Sequence, residues 1–590
     1  MAKLHLVALL FLLTFQLFAI PSKQLLLEAE SFQNAGGWVI DPEFVEQMGS
    51  PYLLAHGLGQ PVENAKTAVE FPAKGTYHVW VRTKNWVPGN WEAPGRFKLI
   101  VNGNKLETVF GTEKGWSWQY AGTISVDKIQ SIIELQDLTG FDGRCDAVYF
   151  NMEKVAPPSE ATELALWRKK LEKEPLTPKI TKQYDLVIVG GGIAGCAAAI
   201  AAAEQGLKVA VVHDRPVLGG NASSEVRVHT EGITGYSDRI VSMLNSSKWK
   251  NGSPQAEDDV KKRHANIEKY KNITLYLNFR AYAAQATHNS VTSVDARHTS
   301  SGETIHFTAP LFADCTGDGW IGYWAGAEYI YGREDSAKFS ESWPKHGELW
   351  IDSKPDKRVM GTSLLWRSKK NNAPSSFPLV PWAKDVAKSY AAINGEWQWE
   401  YSSNDLHQID DAEQIRDHML RAIYGSFSNA KQDIRNDSIQ LEWVGYIAGK
   451  RESRRLVGDY IYTFDDEKTS RKFPDGVVKE KRDVDVHFQQ ITKEKEKPDF
   501  LSEAMFYKTG FYYIPYRSLY SKNISNLLMA GRCFSCSHIG LGGPRVMNTT
   551  GQMGVAIGYA TSLCKKYKTD PRGIYTNHIE ELRKLIQVTD

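Results

Sequence analysis

The chain has 590 residues, more than one hydrophobic core keeps growing over, so two or three domains are expected. Its 71 basic residues nearly balance 69 acidic ones, which removes any global field that would draw in nucleic acid or an acidic membrane surface. Six scattered cysteines exclude a disulfide scaffold, and 17 Trp with 26 Tyr supply many flat faces on which sugar rings can rest, although core packing is their ordinary use.

Lys3 and the apolar run from Leu6 to Phe18, followed by the small residues Ala19 and Ser22, read as a secretory signal peptide over residues 1–22. The run is too short, and too interrupted by Thr14 and Gln16, for a membrane span. No cysteine follows it and no twin arginine precedes it, so export unfolded, with the cofactor loaded afterwards, is expected. Asn221 and Asn548 open Asn-x-Ser/Thr sites where an N-glycan would obstruct cofactor binding, which favours a bacterial periplasm or extracellular space over a eukaryotic route.

Residues 25–152 alternate in short runs broken by Gly, Pro and Asn. Tyr77, Val79 and Val81 would share one face, and Asn102-Gly103 and Gly140 mark turns, so an all-β sandwich is predicted. Glu28-Ala-Glu30 and Asp146-Ala-Val-Tyr-Phe150 resemble carbohydrate-binding sandwich modules attached to secreted enzymes. Trp86, Trp91, Trp116 and Trp118 either stack on sugars or seal a contact to the next domain. A linker helix is predicted within 153–182, from Ser159 to Lys173, with acidic residues early and basic ones late to match its dipole, and with Pro175 and Pro178 after it.

From Tyr184 an apolar run stops on Gly190, Gly192 and Gly195, and a small-residue helix follows, ended by Gly206 before a second strand from Lys208 to Val212. The spacing gives each glycine a separate role. Gly190 permits a sharp turn, Gly192 admits a pyrophosphate close to the backbone, and Gly195 lets the helix close onto the sheet. Helix polarity favours the ligand's negative charge at that terminus.

Further motifs follow in order: Leu218-Gly219-Gly220, Ala313-Asp-Cys-Thr-Gly-Asp318, Arg451-Glu-Ser-Arg-Arg455, Ile514-Pro-Tyr-Arg517, Asn526-Leu-Leu-Met-Ala-Gly-Arg532 and a helix start at Gln552. With the glycine turn they resemble the FAD-dependent oxidoreductases of glutathione-reductase type, over residues 183–586, in a family found in secreted bacterial proteins. The resemblance implies an α/β, Rossmann-like FAD-binding domain, preceded by the sandwich, with a substrate or cap region inserted at about 320–500. That region carries Trp343, Trp350, Trp366, Trp397 and Trp399 and a helical run near Asp411 to Tyr424. Cofactor contacts are implied at Gly190, Gly192, Ile193, Ala194, Gly195, His213, Asp214 and Arg215. Further contacts are implied at Gly219, Gly220, Asn221, Thr316, Gly317, Asp318, Gly531, Arg532 and Gln552.

One departure concerns the acidic residue that grips the adenosine ribose. It would fall where this chain has His213, and a histidine lacks the paired acceptors of a carboxylate. Either Asp214 turns in to replace it, or FAD is held less tightly. All cofactor strands lie after Lys182, so a chain starting there is expected to bind FAD without the sandwich.

Only one dinucleotide motif is present, so electrons are expected to pass from substrate to flavin, and on to oxygen, a quinone or a carrier protein. Oxidising an alcohol needs a base, for which His538 and His229 are the candidates; either is otherwise a structural histidine. Arg227 and Arg545 would steady a carboxylate, a sugar hydroxyl or the reduced flavin, or satisfy loop carbonyls. Cys533 and Cys536 have redox-pair spacing but follow a strand, which favours packing. No His-Glu-x-x-His or paired Cys-x-x-Cys indicates a metal, and no Gly-x-Ser-x-Gly elbow indicates a hydrolase. The expected activity is oxidation of a carbohydrate or glycan-derived alcohol; a flavin-assisted lyase or isomerase, or a glycan-binding protein with structural FAD, are the alternatives.

Overall fold

A computed structural model describes residues 23–172, 178, 180–342, 355–403, 405–488 and 498–589. The expected leader at residues 1–22, the linker's Lys173 and Pro175, and Trp343 and Trp350 lie outside them.

The first domain is an antiparallel sandwich. One sheet runs Val39–Asp41, Tyr52–Ala55, Gly143–Asn151, Gly75–Thr83, Ser117–Val126, with Gln24–Glu28 also on Gly143–Asn151; the other runs Ala65–Glu70, Gln130–Asp137, Phe97–Val101, Asn104–Lys105. Tyr77, Val79 and Val81 are buried on one face against Phe97, Leu99, Ile133 and Leu135 of the opposite sheet. Asn102 and Gly103 take φ of 49° and 81°, as a two-residue hairpin turn matched to strand twist requires. A short helix, α1 (Val45–Met48), leaves this sandwich toward the rest of the chain, and α2 (Ala161–Glu172) forms the linker helix.

The second domain centres on five parallel strands: β1 (Leu186–Val189), β2 (Val209–His213), β3 (Ile273–Leu277), β4 (Leu311–Asp314) and β5 (Leu527–Met529), in the order β3-β2-β1-β4-β5. The central β1 is a continuous apolar run because both of its faces are covered, whereas the edge strand β3 is only partly buried. One cover is α3 (Ile193–Glu204), whose alanines lie against α5 (Met547–Tyr567). Small residues set that spacing. A Cβ on Gly554 would fall 2.1 Å from the Ala194 carbonyl oxygen, and one on Gly558 would fall 2.5 Å from that of Ala198.

Between β4 and β5 the chain builds the inserted region from paired strands, such as Trp366–Lys370 with Ile439–Val444 and Val484–Phe488 with Glu503–Tyr507, and from α4 (Ala412–Ala430). The sandwich is fused to it. Trp86 and Phe141 each meet Trp382 edge-on at 5.3 Å, Tyr424 Oη donates to Asp142 Oδ2 at 2.9 Å, and Arg144 is buried against Asp417 and Glu413. Trp116 donates to Glu413, and Trp118 to the Pro158 carbonyl. Of Trp86, Trp91, Trp116 and Trp118, only Trp91 stands open to solvent, 42% exposed, and Trp118 lies within the strand Ser117–Val126 rather than in a loop.

Candidate functional site

The glycine turn between β1 and α3 follows from local constraints. Gly190 has φ +109°, and a Cβ there would lie 2.2 Å from the Cys315 carbonyl oxygen, so no other residue fits. Gly195 brings α3 onto the turn, since its Cβ would lie 1.9 Å from the Gly190 carbonyl oxygen. At Gly192 the nearest atom to such a Cβ is Gly220 Cα at 4.0 Å, and this open side faces a cavity of about 490 Å³. Gly192 is the N-cap of α3 and supplies no side-chain cap, which leaves the first N–H groups of the helix for an anionic ligand. The volume suits a small-molecule site.

The cavity wall includes Gly190 to Ala194, His213, Asp214, Arg215, Gly219, Gly220, Asn221, Thr316, Gly317, Asp318, Gly531 and Arg532. His213 turns back into the loop: its Nδ1 accepts from Gly191 N at 3.1 Å and its Nε2 donates to the Val217 carbonyl at 3.0 Å. Burial lowers its pKa and keeps the ring neutral, as these two bonds require. Asp214 is the carboxylate left at the end of β2. Asp318 is clamped by Lys450 Nζ and Arg532 Nη2, each at 2.9 Å. Burial works to raise the Asp318 pKa, but these two cations outweigh it and keep the group ionised. The Lys450 carbonyl in turn accepts from Asn221 Nδ2 at 3.0 Å, tying the Gly219-Gly220 loop to the inserted region.

Away from the glycine turn the wall becomes strongly polar, with His229, Glu231, Asn251, Arg451, Arg482, Asp485, His487 and Arg545 beside Trp397, which is 39% exposed. His229 Nδ1 lies 2.7 Å from Asn251 Oδ1, and its Nε2 lies 3.4 Å from Glu231 Oε1. Both neighbours accept, so they favour the doubly protonated ring, and the bond to Glu231 is the main cause of a raised His229 pKa. Arg545 Nη2 donates to Asp485 Oδ2 at 3.1 Å, and Arg482 Nη2 to the same oxygen at 3.0 Å. Arg451 lies 3.1 Å from Glu400 Oε2, and His487 bridges Glu400 and Asp485 at 2.8 and 3.0 Å. Each buried cation here has a carboxylate partner, as desolvated charges require.

Four expected site residues lie off this wall. His538 is enclosed, with its Nδ1 2.8 Å from Glu452 Oε2 and its backbone N–H donating to Glu334 Oε2 at 2.9 Å; the loop after β5 turns it into a buried charge cluster with Arg455. Arg227 lies over the Trp443 ring at 4.5 Å and pairs with Glu257. Gln552 falls in the second turn of α5, where it donates to the Ile233 and Lys479 carbonyls, each at 2.9 Å. Gly195 acts through packing alone. Cys533 and Cys536 are buried free thiols whose pKa values burial pushes up, so the packing reading fits them.

Sequence reasoning missed Arg482, Asp485 and His487. The run Lys479 to Arg482 resembles a solvated face, yet Arg482 reaches the cavity. A signal was present in Val484-Asp-Val-His-Phe488, where strict alternation places Asp485 and His487 on one face of a strand. Among the described residues no group of three or more His, Cys, Asp or Glu is placed to hold a metal, and no helix is long and apolar enough to cross a membrane.

A parallel sheet, an uncapped helix start and an open glycine at its foot define a dinucleotide-binding protein. Residues 185–586 match the family described as FAD dependent oxidoreductase, and the chain belongs to that family. It is similar to a urocanate reductase of Eggerthella lenta, 25% identical over 183 residues, covering 30% of this chain and only 29% of that protein's length. Among solved structures, a geranylgeranyl bacteriochlorophyll reductase-like protein of Thermoplasma acidophilum matches 69% of this chain and 84% of its own, at 14% identity and TM-score 0.29. A family 35 carbohydrate binding module of Clostridium thermocellum matches 22% of this chain and 98% of its own, at 18% identity and TM-score 0.18.

The cofactor is therefore FAD, and the residues present fit it. The first N–H groups of α3 with Gly192 and Gly220 would hold the pyrophosphate, and Asp214, on the same cavity wall, would face the adenosine end.

Proposed function

We propose that the protein is an exported oxidase or dehydrogenase of a carbohydrate or glycan-derived alcohol, with His229 as the proton acceptor. The observation that carries the mechanism is the placement of His229 on the cavity wall, between Asn251 and Glu231, while His538 is enclosed elsewhere. Bound FAD supplies a two-electron hydride acceptor. The chain's own residues do the rest. Neutral His229 takes the hydroxyl proton as the carbon-bound hydrogen leaves with its electron pair, and Asn251 fixes the ring by accepting at Nδ1. Arg482 and Arg545, held by Asp485, present guanidinium donors that orient neighbouring oxygens.

The carbohydrate assignment is supported by the polar wall beside the open face of Trp397, and by the sandwich whose strand motifs resemble glycan-binding modules. The apolar run after Lys3 supports export. Anaerobic mixing of the flavin-loaded protein with a panel of oligosaccharides, recording the visible spectrum, tests the reading. Sugar-dependent bleaching is expected. Product without net electron transfer would make the protein a lyase, and binding without either would leave a glycan-binding protein.

A further inference from the structure

The cavity wall nearest Asp214 is not made by the α/β domain alone. Glu46 and Gln47 of α1, with Glu43 just before it, complete that wall from the sandwich. Arg280, at the start of the strand Phe279–Thr287, spans the two domains with one guanidinium: Nη1 donates to Asp214 Oδ2 at 2.7 Å and Nη2 to Glu46 Oε1 at 2.6 Å. The segment carrying Glu46 is itself fixed from behind. Ala448 N donates to Glu43 Oε1 at 3.1 Å, and Gln47 Nε2 donates to the Ile409 carbonyl at 2.9 Å.

Arg215, on the same wall, is held by Glu225, bonded to both of its oxygens at 3.0 and 2.7 Å.

We propose that the β-sandwich is part of the cofactor site: Glu46 holds Arg280, Arg280 holds Asp214, and Asp214 thereby meets the hydroxyls of the adenosine ribose. His213 is unavailable for that contact, because both ring nitrogens are spent within the loop. Burial works to raise the Asp214 pKa, but Arg280 and other nearby cations outweigh it, so the carboxylate is ionised and acceptor-only. Arg280 takes one of its oxygens and fixes its rotation, leaving the other toward the ligand. Glu46 need not touch FAD to matter. Docking of the sandwich and binding of FAD are then linked, each strengthening the other by the same factor. On this proposal a chain starting near Lys182, expected from its sequence to bind FAD, binds it more weakly than the full chain.

The test uses the full chain, stripped of flavin, and two probes: FAD, and an FAD analogue lacking both hydroxyls of the adenosine ribose. Dissociation constants come from flavin fluorescence. Asp214→Asn is expected to weaken FAD binding roughly tenfold or more, the scale of a hydrogen bond to a charged group. Glu46→Gln, which weakens the ion pair with Arg280, is expected to weaken it roughly two- to fivefold. Toward the deoxy analogue both variants should match the wild type, because the contact they support is already missing. FAD should also slow hydrogen exchange across residues 43–48, and less so in Glu46→Gln. Equal losses for both probes would mean a general structural defect and overturn the proposal, as would unchanged FAD affinity in Glu46→Gln. If Asp214→Asn fails to fold, Glu46→Gln decides alone, with its flavin-free melting temperature measured beside the wild type.

Discussion

Arg416 of α4 donates to Asp41 of the sandwich at 2.9 Å, and neither side chain reaches solvent. The same guanidinium also reaches Tyr52 Oη at 2.8 Å, so one buried cation fastens two domains. Arg416→Ala would leave Asp41 buried without its partner, a loss of about 3–5 kcal/mol. Thermal unfolding should show the melting temperature of the whole molecule falling, rather than that of one domain. A fall confined to a separate early transition would mean that the domains unfold independently.

Gly192→Asp should remove FAD while leaving the fold intact. A Cβ fits there, but the added carboxylate would occupy the space intended for a pyrophosphate at the start of α3 and repel its like charge. Gly190→Ala should behave differently, because its Cβ collides with the Cys315 carbonyl at a positive φ. Flavin content and melting temperature, measured together, separate the two: the first variant loses only flavin, the second loses stability.

Flavin reduction should rise with pH through a limb above the ordinary histidine range. His229 accepts a proton only when neutral, and Glu231 raises its pKa, so the base becomes available later than in a free imidazole near ~6.5. Glu231→Gln should move the limb down toward that value. His229→Gln should abolish it and slow reduction by roughly 10²–10⁴. A limb that survives in His229→Gln would assign the base elsewhere on the wall, His487 first.

His538→Ala should leave the pH limb in place and lower stability instead, since Glu452 would lose the ring nitrogen that lies 2.8 Å from its Oε2. Cys533→Ala and Cys536→Ala should likewise leave reduction rates unchanged. In the folded protein both thiols should resist an alkylating reagent that reacts promptly after unfolding, because burial keeps them protonated.

The cofactor turn was legible in the sequence because its glycines answer local constraints: a backbone angle at Gly190 and a close approach at Gly195 leave their mark on residue type at fixed spacing. The sandwich was legible for a similar reason, since alternation in Tyr77, Val79 and Val81 is a property of one strand. The polar end of the site was not. His538 follows a strand in the expected place, but one loop rotation decides whether a side chain faces a cavity or a cluster such as Glu452 and Glu334. Arg482 belongs to a charged run, and its burial depends on Asp485 and Glu231, which lie on different elements. Glu46 could not be foreseen from its own segment either, as its partner Arg280 lies 234 positions away.

The seam around Trp382 also bears on the order in which the chain can fold. Trp86, Phe141, Asp142 and Arg144 belong to the part synthesised first, while their partners Trp382, Asp417 and Tyr424 come much later. At ~5–20 residues per second the young sandwich waits roughly ten seconds or more with an apolar and charged face uncovered. That interval is a window for misassembly, and cells that hold the nascent chain should gain soluble protein chiefly by shielding this one face.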